Sequence, residues 1–195
     1  MNTIYDEFQN SMSRIKDNFM LSFLSTNFVN QKPFEKDILF DVNFNGNYLS
    51  KELINTISND TIQEYGNSIR RHFLNDLVIA YERYASLMYI SDKKGKSRQD
   101  SALFDKKEST NYQSFIYGLS SEKDFLKNLV SLRNSIVHYN GVYNVSNSIS
   151  YTFGSETFQS SGNEGQSISI TFGNLLWIYD KLINEINIIN TNYFK

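Results

Sequence analysis

The stretch FLKNLVSLRNSIVHYNG, Phe125 to Gly141, decides how the fold is read. Wound at about 100° per residue, Phe125, Leu126, Leu129, Val130, Leu132, Ile136 and Val137 fall on one broad apolar arc. That pattern predicts an amphipathic helix whose face must be covered by other helices. Ser120 or Ser121 suits its N-cap. Gly141 suits the left-handed residue that closes it after Tyr139 or Asn140. Arg133 falls near the middle of the arc, while Asn134 and His138, four residues apart, stack at or beyond its edge. A guanidinium buried without partners is very costly. Arg133 must therefore reach a carboxylate, backbone carbonyls, a second subunit or a ligand. A purely structural reading also exists: a cation near a helix C-terminus bonds free carbonyls and is favoured by the dipole. On that reading Arg133 snorkels and His138 only caps the helix.

Helical patterns flank this one on both sides. Tyr5, Phe8, Met12, Ile15, Phe19 and Phe23 recur at steps of three and four, predicting a helix over about 3–28. A second, long helix is predicted over about 60–91, with an inner stripe of Ile62, Tyr65, Ile69, Phe73, Leu77, Tyr81, Tyr84 and Met88. The TIQE at Thr61–Glu64 matches a capping box for its start. A polar linker over 91–110, SDKKGKSRQDSALFDKKEST, reads as a loop. The last helix is predicted over about 174–192, with Leu175, Leu176, Tyr179, Leu182, Ile183 and Ile186 inward. Two alternating stretches interrupt the helices. Ile38, Phe40, Val42 and Phe44 precede Asn45-Gly46, a hairpin signal. Ile149, Tyr151 and Phe153 are expected to pair with Ile168, Ile170 and Phe172 across a polar tip, as a hairpin inserted at about 145–172. Four apolar-striped helices cover each other most economically as an antiparallel bundle. The fold class expected is mainly α: an antiparallel four-helix bundle in one domain over 1–195, carrying one or two small β-hairpin insertions.

Composition narrows the function. The chain has 195 residues, 40% hydrophobic and 15% aromatic, enough for a substantial core. Its single proline leaves long helices unbroken, and it has no cysteine, which excludes disulfides and thiolate metal sites. The formal net charge of −2 provides no general basic field, so any nucleic-acid contact must be local. The opening MNTIYDEFQN is polar and acidic, unlike a signal peptide, and no apolar run approaches the roughly 20 residues of a membrane span. These features read as a soluble, cytoplasmic protein.

The segment RNSIVH, with Arg133, Asn134 and His138, resembles the signature of the HEPN superfamily: an arginine, commonly a following polar residue, and a histidine four to six residues on, toward the end of the third helix of a four-helix bundle. The following Tyr139-Asn140-Gly141 resembles the turn after that motif. The close resemblance covers about twenty residues, and the two hairpins depart from the family plan. What it implies is a metal-independent endoribonuclease acting as a homodimer, with two motifs facing each other across the interface. The chemistry is consistent with that. RNA carries its own nucleophile, the 2′-hydroxyl. Histidine has the unperturbed pKa for acid–base work near neutral pH. Arginine's planar fork matches phosphate oxygens and keeps its charge. On this reading His138 is the acid/base, Arg133 holds the phosphate, and Asn134 bonds the phosphate or orients His138. No cofactor is implied. With two histidines and no cysteine, a dedicated zinc site is not expected.

Further residues are candidates for substrate contact. Tyr139 and Asn140 follow the motif, and Arg70 and Arg71 flank His72 as a phosphate-binding patch or, alternatively, a solvated helix face. Glu82, inside the aromatic stretch YERYASLMY, is a carboxylate that would position Arg133 if the bundle brought them together; sequence alone does not. The linker lysines and the many aromatics allow RNA contact, but a solvated loop and core packing account for them better. Two hypotheses follow. One is a HEPN-type ribonuclease of the toxin or antiviral-defence kind, with RNA as partner. The other is a non-catalytic HEPN-like dimerisation module that binds a nucleotide, an RNA or a protein. A third variant makes activity depend on a neutralising or activating partner protein.

Overall fold

The structure, a computed structural model, describes residues 3–30, 38–39, 48–49, 57–92, 106–138, 149–153, 156–160 and 170–194; side chains are described within 3–27, 57–92, 112–137 and 170–194. Among the described residues there are five helices: α1 (Thr3–Asn30), α2 (Asn59–Asp92), α3 (Lys106–Leu119), α4 (Lys123–His138) and α5 (Phe172–Tyr193). Among the same residues four short strands pair in two antiparallel ribbons. They are β1 (Ile38–Leu39) with β2 (Tyr48–Leu49), and β3 (Ile149–Phe153) with β4 (Glu156–Ser160). The protein is mainly helical.

The long α2 is the axis of the packing: α1 runs along it, and α3, α4 and α5 also contact it. Its core positions Phe73, Leu74, Leu77, Tyr81, Ala85 and Met88 are buried. Phe19 of α1 stacks on Phe73 with ring centroids 4.0 Å apart and on Phe172 of α5 at 5.4 Å. One aromatic knot therefore ties three helices. Leu126, Leu129, Leu132 and Ile136 of α4 join the same core as Leu175, Leu182, Ile186 and Ile189 of α5.

Several expectations are corrected. A fifth helix, α3, occupies the C-terminal part of the predicted linker and the residues up to Leu119. Its apolar residues crowd into its C-terminal half: Tyr112 and Ile116, one turn apart, are buried, and Phe115, Tyr117 and Leu119 pack against the core. The start of α2 is capped by Ser58, whose Oγ accepts from the Thr61 N–H at 3.1 Å. Thr61 is thus three residues inside the cap rather than the cap itself. Tyr65, expected in the inner stripe, is 55% exposed and borders a cleft against α1 instead. The last helix begins two residues early because Thr171 caps it, accepting from the Asn174 N–H at 3.2 Å. That places Phe172 in the helix, against Phe19 and Phe23, and removes it from any strand. The strand facing Ile149–Phe153 is consequently Glu156–Ser160, inside the expected polar tip, with Tyr151 opposite Phe158 and Thr152 opposite Thr157. β3 also touches α4.

Candidate functional site

The position of α4 is set at its N-terminus by a residue far away in sequence. Glu185 of α5, 1% exposed, accepts four hydrogen bonds at the α3–α4 junction: from Ser120 Oγ at 2.6 Å, Ser121 N at 2.7 Å, Ser121 Oγ at 2.9 Å and Glu122 N at 3.1 Å. A carboxylate on free N–H groups at a helix start satisfies donors the helix cannot, and its charge is favoured by the dipole. Lys181 of α5 adds an ion pair to Glu122 at 2.6 Å. Nothing in the local sequence of α4 announces this cap. The signal was only that Ser120 and Ser121 suit a helix start, and Glu185 then sits among inward positions of α5.

Three turns along α4, Arg133 lies between buried Leu132 and Ile136, on the apolar arc as predicted. Its Nη2 donates to Glu82 Oε2 of α2 at 2.5 Å, and the two side chains are only 18% and 23% exposed. The packing of α2 against α4 thus supplies the carboxylate that a guanidinium in this place requires. Burial pushes the Glu82 carboxyl above its ordinary range, and the charge and hydrogen bond of Arg133 pull it part of the way back. Tyrosines surround the pair. Burial raises Tyr81, Tyr112 and Tyr117, and the negative charge of Glu82 raises each further; at Tyr112 the Arg133 cation opposes that rise. Two donors in this cluster are unspent. Arg133 Nε and the Tyr81 hydroxyl are buried with no hydrogen-bond partner among the described residues.

The other motif residues lie elsewhere on α4. Asn134 is half-buried. His138 is the last residue of the helix, and its side chain lies outside the described residues, as do Tyr139 and Asn140. The helical backbone still relates them. At about 100° per residue, the position of His138 lies roughly 40° round the helix from Asn134 but roughly 140° from Arg133. Within one chain the arginine faces α2, while the histidine's position on the helix turns away from it.

Arg70 and Arg71 are held on their own helix. Arg71 pairs with Glu64, and Arg70 Nη1 donates to Asn67 Oδ1 at 3.2 Å. They precede Glu82 by about 17 Å along α2 at 1.5 Å per residue, so the structure does not gather them with Arg133. His72, exposed, faces Asp76. Burial raises the Asp76 carboxyl and His72 partly lowers it again. The linker cations Lys93, Lys94, Lys96 and Arg98 lie outside the described residues. Among the described residues no three His, Asp or Glu side chains converge as a metal site, and no helix is long and apolar enough to cross a membrane. No family model, curated protein or solved structure matches this chain.

Proposed function

We propose that this chain is a metal-independent endoribonuclease of the HEPN type, built on an antiparallel helical bundle and acting as a homodimer in the cytoplasm, in toxin or antiviral-defence chemistry. The observation that carries the reading is Arg133: a guanidinium in the apolar face of α4, steered by Glu82, with a buried Nε still unmatched, on the helix that ends at His138. A purely structural arginine in such a place would be expected to meet all its donors.

In the proposed reaction His138 takes the proton of an RNA 2′-hydroxyl. The 2′-oxygen attacks the adjacent phosphorus. The P–O2′ bond forms as the P–O5′ bond breaks, and the 5′-oxygen leaves with a proton from a second acid, for which the partner copy's motif is suited. Arg133 holds the phosphate oxygens as charge builds, and Asn134 bonds the phosphate or orients His138. The products are a 2′,3′-cyclic phosphate and a 5′-hydroxyl. The helical geometry favours two copies. Arg133 and His138 leave one α4 about 140° apart, so a facing α4 is the simplest way to bring a histidine to each arginine. Tyr139, Asn140, Arg70 and Arg71 are assigned to contacts along the strand. A protein partner that covers or aligns the paired motifs would neutralise or activate the enzyme.

One observation favours the alternative of a non-catalytic dimerisation module that binds a nucleotide, RNA or protein. Glu82 already neutralises Arg133 at 2.5 Å, and RNA must compete with it. A single experiment separates the two. Purified protein is incubated with end-labelled total RNA and tRNA in EDTA, beside His138→Ala. The enzyme reading expects cleavage by the wild type alone, with cyclic-phosphate ends. No cleavage by a folded, dimeric wild type selects the module.

A further inference from the structure

On the face of α2 turned away from Glu82, a cavity of about 540 Å³ opens between α1 and α2 and continues into a neighbour of about 360 Å³. Ser11, Arg14, Ala80 and Arg83 line both. Helical spacing puts them there. Glu7, Ser11 and Arg14 share one face of α1, and Ala80, Arg83 and Leu87 share one face of α2.

Two features of this groove call for a ligand. The first is charge. Two guanidinium groups and one carboxylate border the larger cavity, yet the ion pair between Arg83 and Glu7 is loose, at 3.9 Å, and Arg14 pairs with no carboxylate among the described residues. The second is a buried donor. Tyr84, which lines the same cavity, is 1% exposed, and its hydroxyl meets no hydrogen-bond partner among the described residues. A buried hydroxyl left unbonded is a defect unless something enters to bond it. The floor beside it is aromatic: the Phe8 and Tyr84 rings lie 5.3 Å apart.

We propose that the α1–α2 groove binds a small organic phosphate, its anion held between Arg14 and Arg83 and its flat or apolar part laid on Phe8, Tyr84 and Leu87. The planar forks of two arginines match phosphate oxygens in a way lysines would not. The volume lies within the range of roughly 300–1,000 Å³ that small-molecule sites occupy. Glu7, a carboxylate that repels an anion, meets Arg83 only through the loose 3.9 Å pair, which an incoming phosphate can displace. Glu82 and Arg83 are adjacent on α2 and leave it about 100° apart, so this groove and the Arg133 cluster occupy different faces. The proposal stands whether or not the chain cleaves RNA.

The test is calorimetric titration of the full chain with adenosine 5′-monophosphate, adenosine, inorganic phosphate and a short single-stranded oligodeoxynucleotide, at low and high salt. Adenosine 5′-monophosphate is expected to bind one to one, more tightly than phosphate and far more tightly than adenosine, and to weaken with salt. Arg14→Ala and Arg83→Ala should each weaken it by roughly tenfold or more, the loss of one charge-assisted contact. Both residues are exposed, so unchanged melting temperatures will show that the fold is intact. Tyr84→Phe should weaken it several-fold. Binding of the oligodeoxynucleotide alone, with the same arginine dependence, would assign the anion to a nucleic-acid backbone. Adenosine binding as tightly as its phosphate would overturn the proposal. So would binding indifferent to both arginine substitutions, or no binding by any of the phosphates.

Discussion

Two glutamates, one buried and one half-buried, anchor α4 at its start and near its end, and they are held differently. Glu185 meets four neutral donors at the start of the helix, in hydrogen bonds of 2.6 to 3.1 Å, so its neighbours' local donors are accounted for. Glu82 meets one cation through one bond, inside a ring of tyrosines where Arg133 Nε and the Tyr81 hydroxyl go unmatched. The first arrangement is closed: removing Glu185 leaves all four part-buried donors without their acceptor. The second is half open, with donors in reserve and a carboxylate whose burial works against its charge. Saturated polar clusters fix structure, whereas unsaturated ones are where a substrate, a water or a partner can enter.

The contrast can be broken first at the closed end. Glu185→Ala should give the largest loss of stability, about 3–4 kcal/mol, because four part-buried donors lose their acceptor at once and a buried side chain leaves a gap. Urea unfolding measures it. A loss under about 1 kcal/mol, within the ordinary range of a surface substitution, would mean that water replaces the cap. Arg133→Ala should cost about 2–3 kcal/mol, discounted from a fully buried pair because both side chains retain some exposure. Removing Glu82 as well should recover part of that loss. A double-mutant cycle between them should therefore show coupling of about 1–2 kcal/mol, and additive losses would mean that the pair has no net interaction.

The pH dependence sharpens the comparison at the open end. Burial raises the folded-state pKa of Glu82 above its ordinary 4.5. The folded chain therefore binds this proton more tightly than the unfolded one. The stability contributed by protonation is fully present below 4.5 and is lost as pH rises through the higher folded value. Glu82→Gln should remove this component, so the wild-type-minus-variant difference in melting temperature should change across that window and be flat well above it. A difference that keeps changing only below 4.5 would show a depressed carboxyl instead. The smallest effect is expected for Tyr81→Phe. Its hydroxyl is buried without a partner among the described residues, so its removal should change stability by less than about 0.5 kcal/mol, or raise it. A loss above about 1 kcal/mol would reveal a bond to a buried water.

Much of this was legible in the chain. The periodicity of 125–137 placed Arg133 on an apolar face, and the cost of an unpaired guanidinium required a partner for it. Glu82 stood out as a carboxylate among aromatics, but linear sequence does not say which side of α2 meets α4. Helix α3 was missed because its first residues are charged and its apolar residues, Tyr112, Phe115, Ile116, Tyr117 and Leu119, crowd into its last two turns, too short a run to show a recurring stripe. The pairing of Ile149–Phe153 was misassigned because Ile168, Ile170 and Phe172 alternate more convincingly than the polar ETFQS. The cap at Thr171 settled the matter by starting a helix where a strand was expected.

Sequence by itself determined the mainly helical character, the amphipathic faces and the chemical oddity of Arg133, because hydrophobic period and desolvation cost are local properties of the residues. Tertiary structure alone decided which carboxylate answers Arg133, which one caps α4, and which donors remain free. Those outcomes depend on contacts between residues 51 to 65 positions apart, which form only once helices pack side by side.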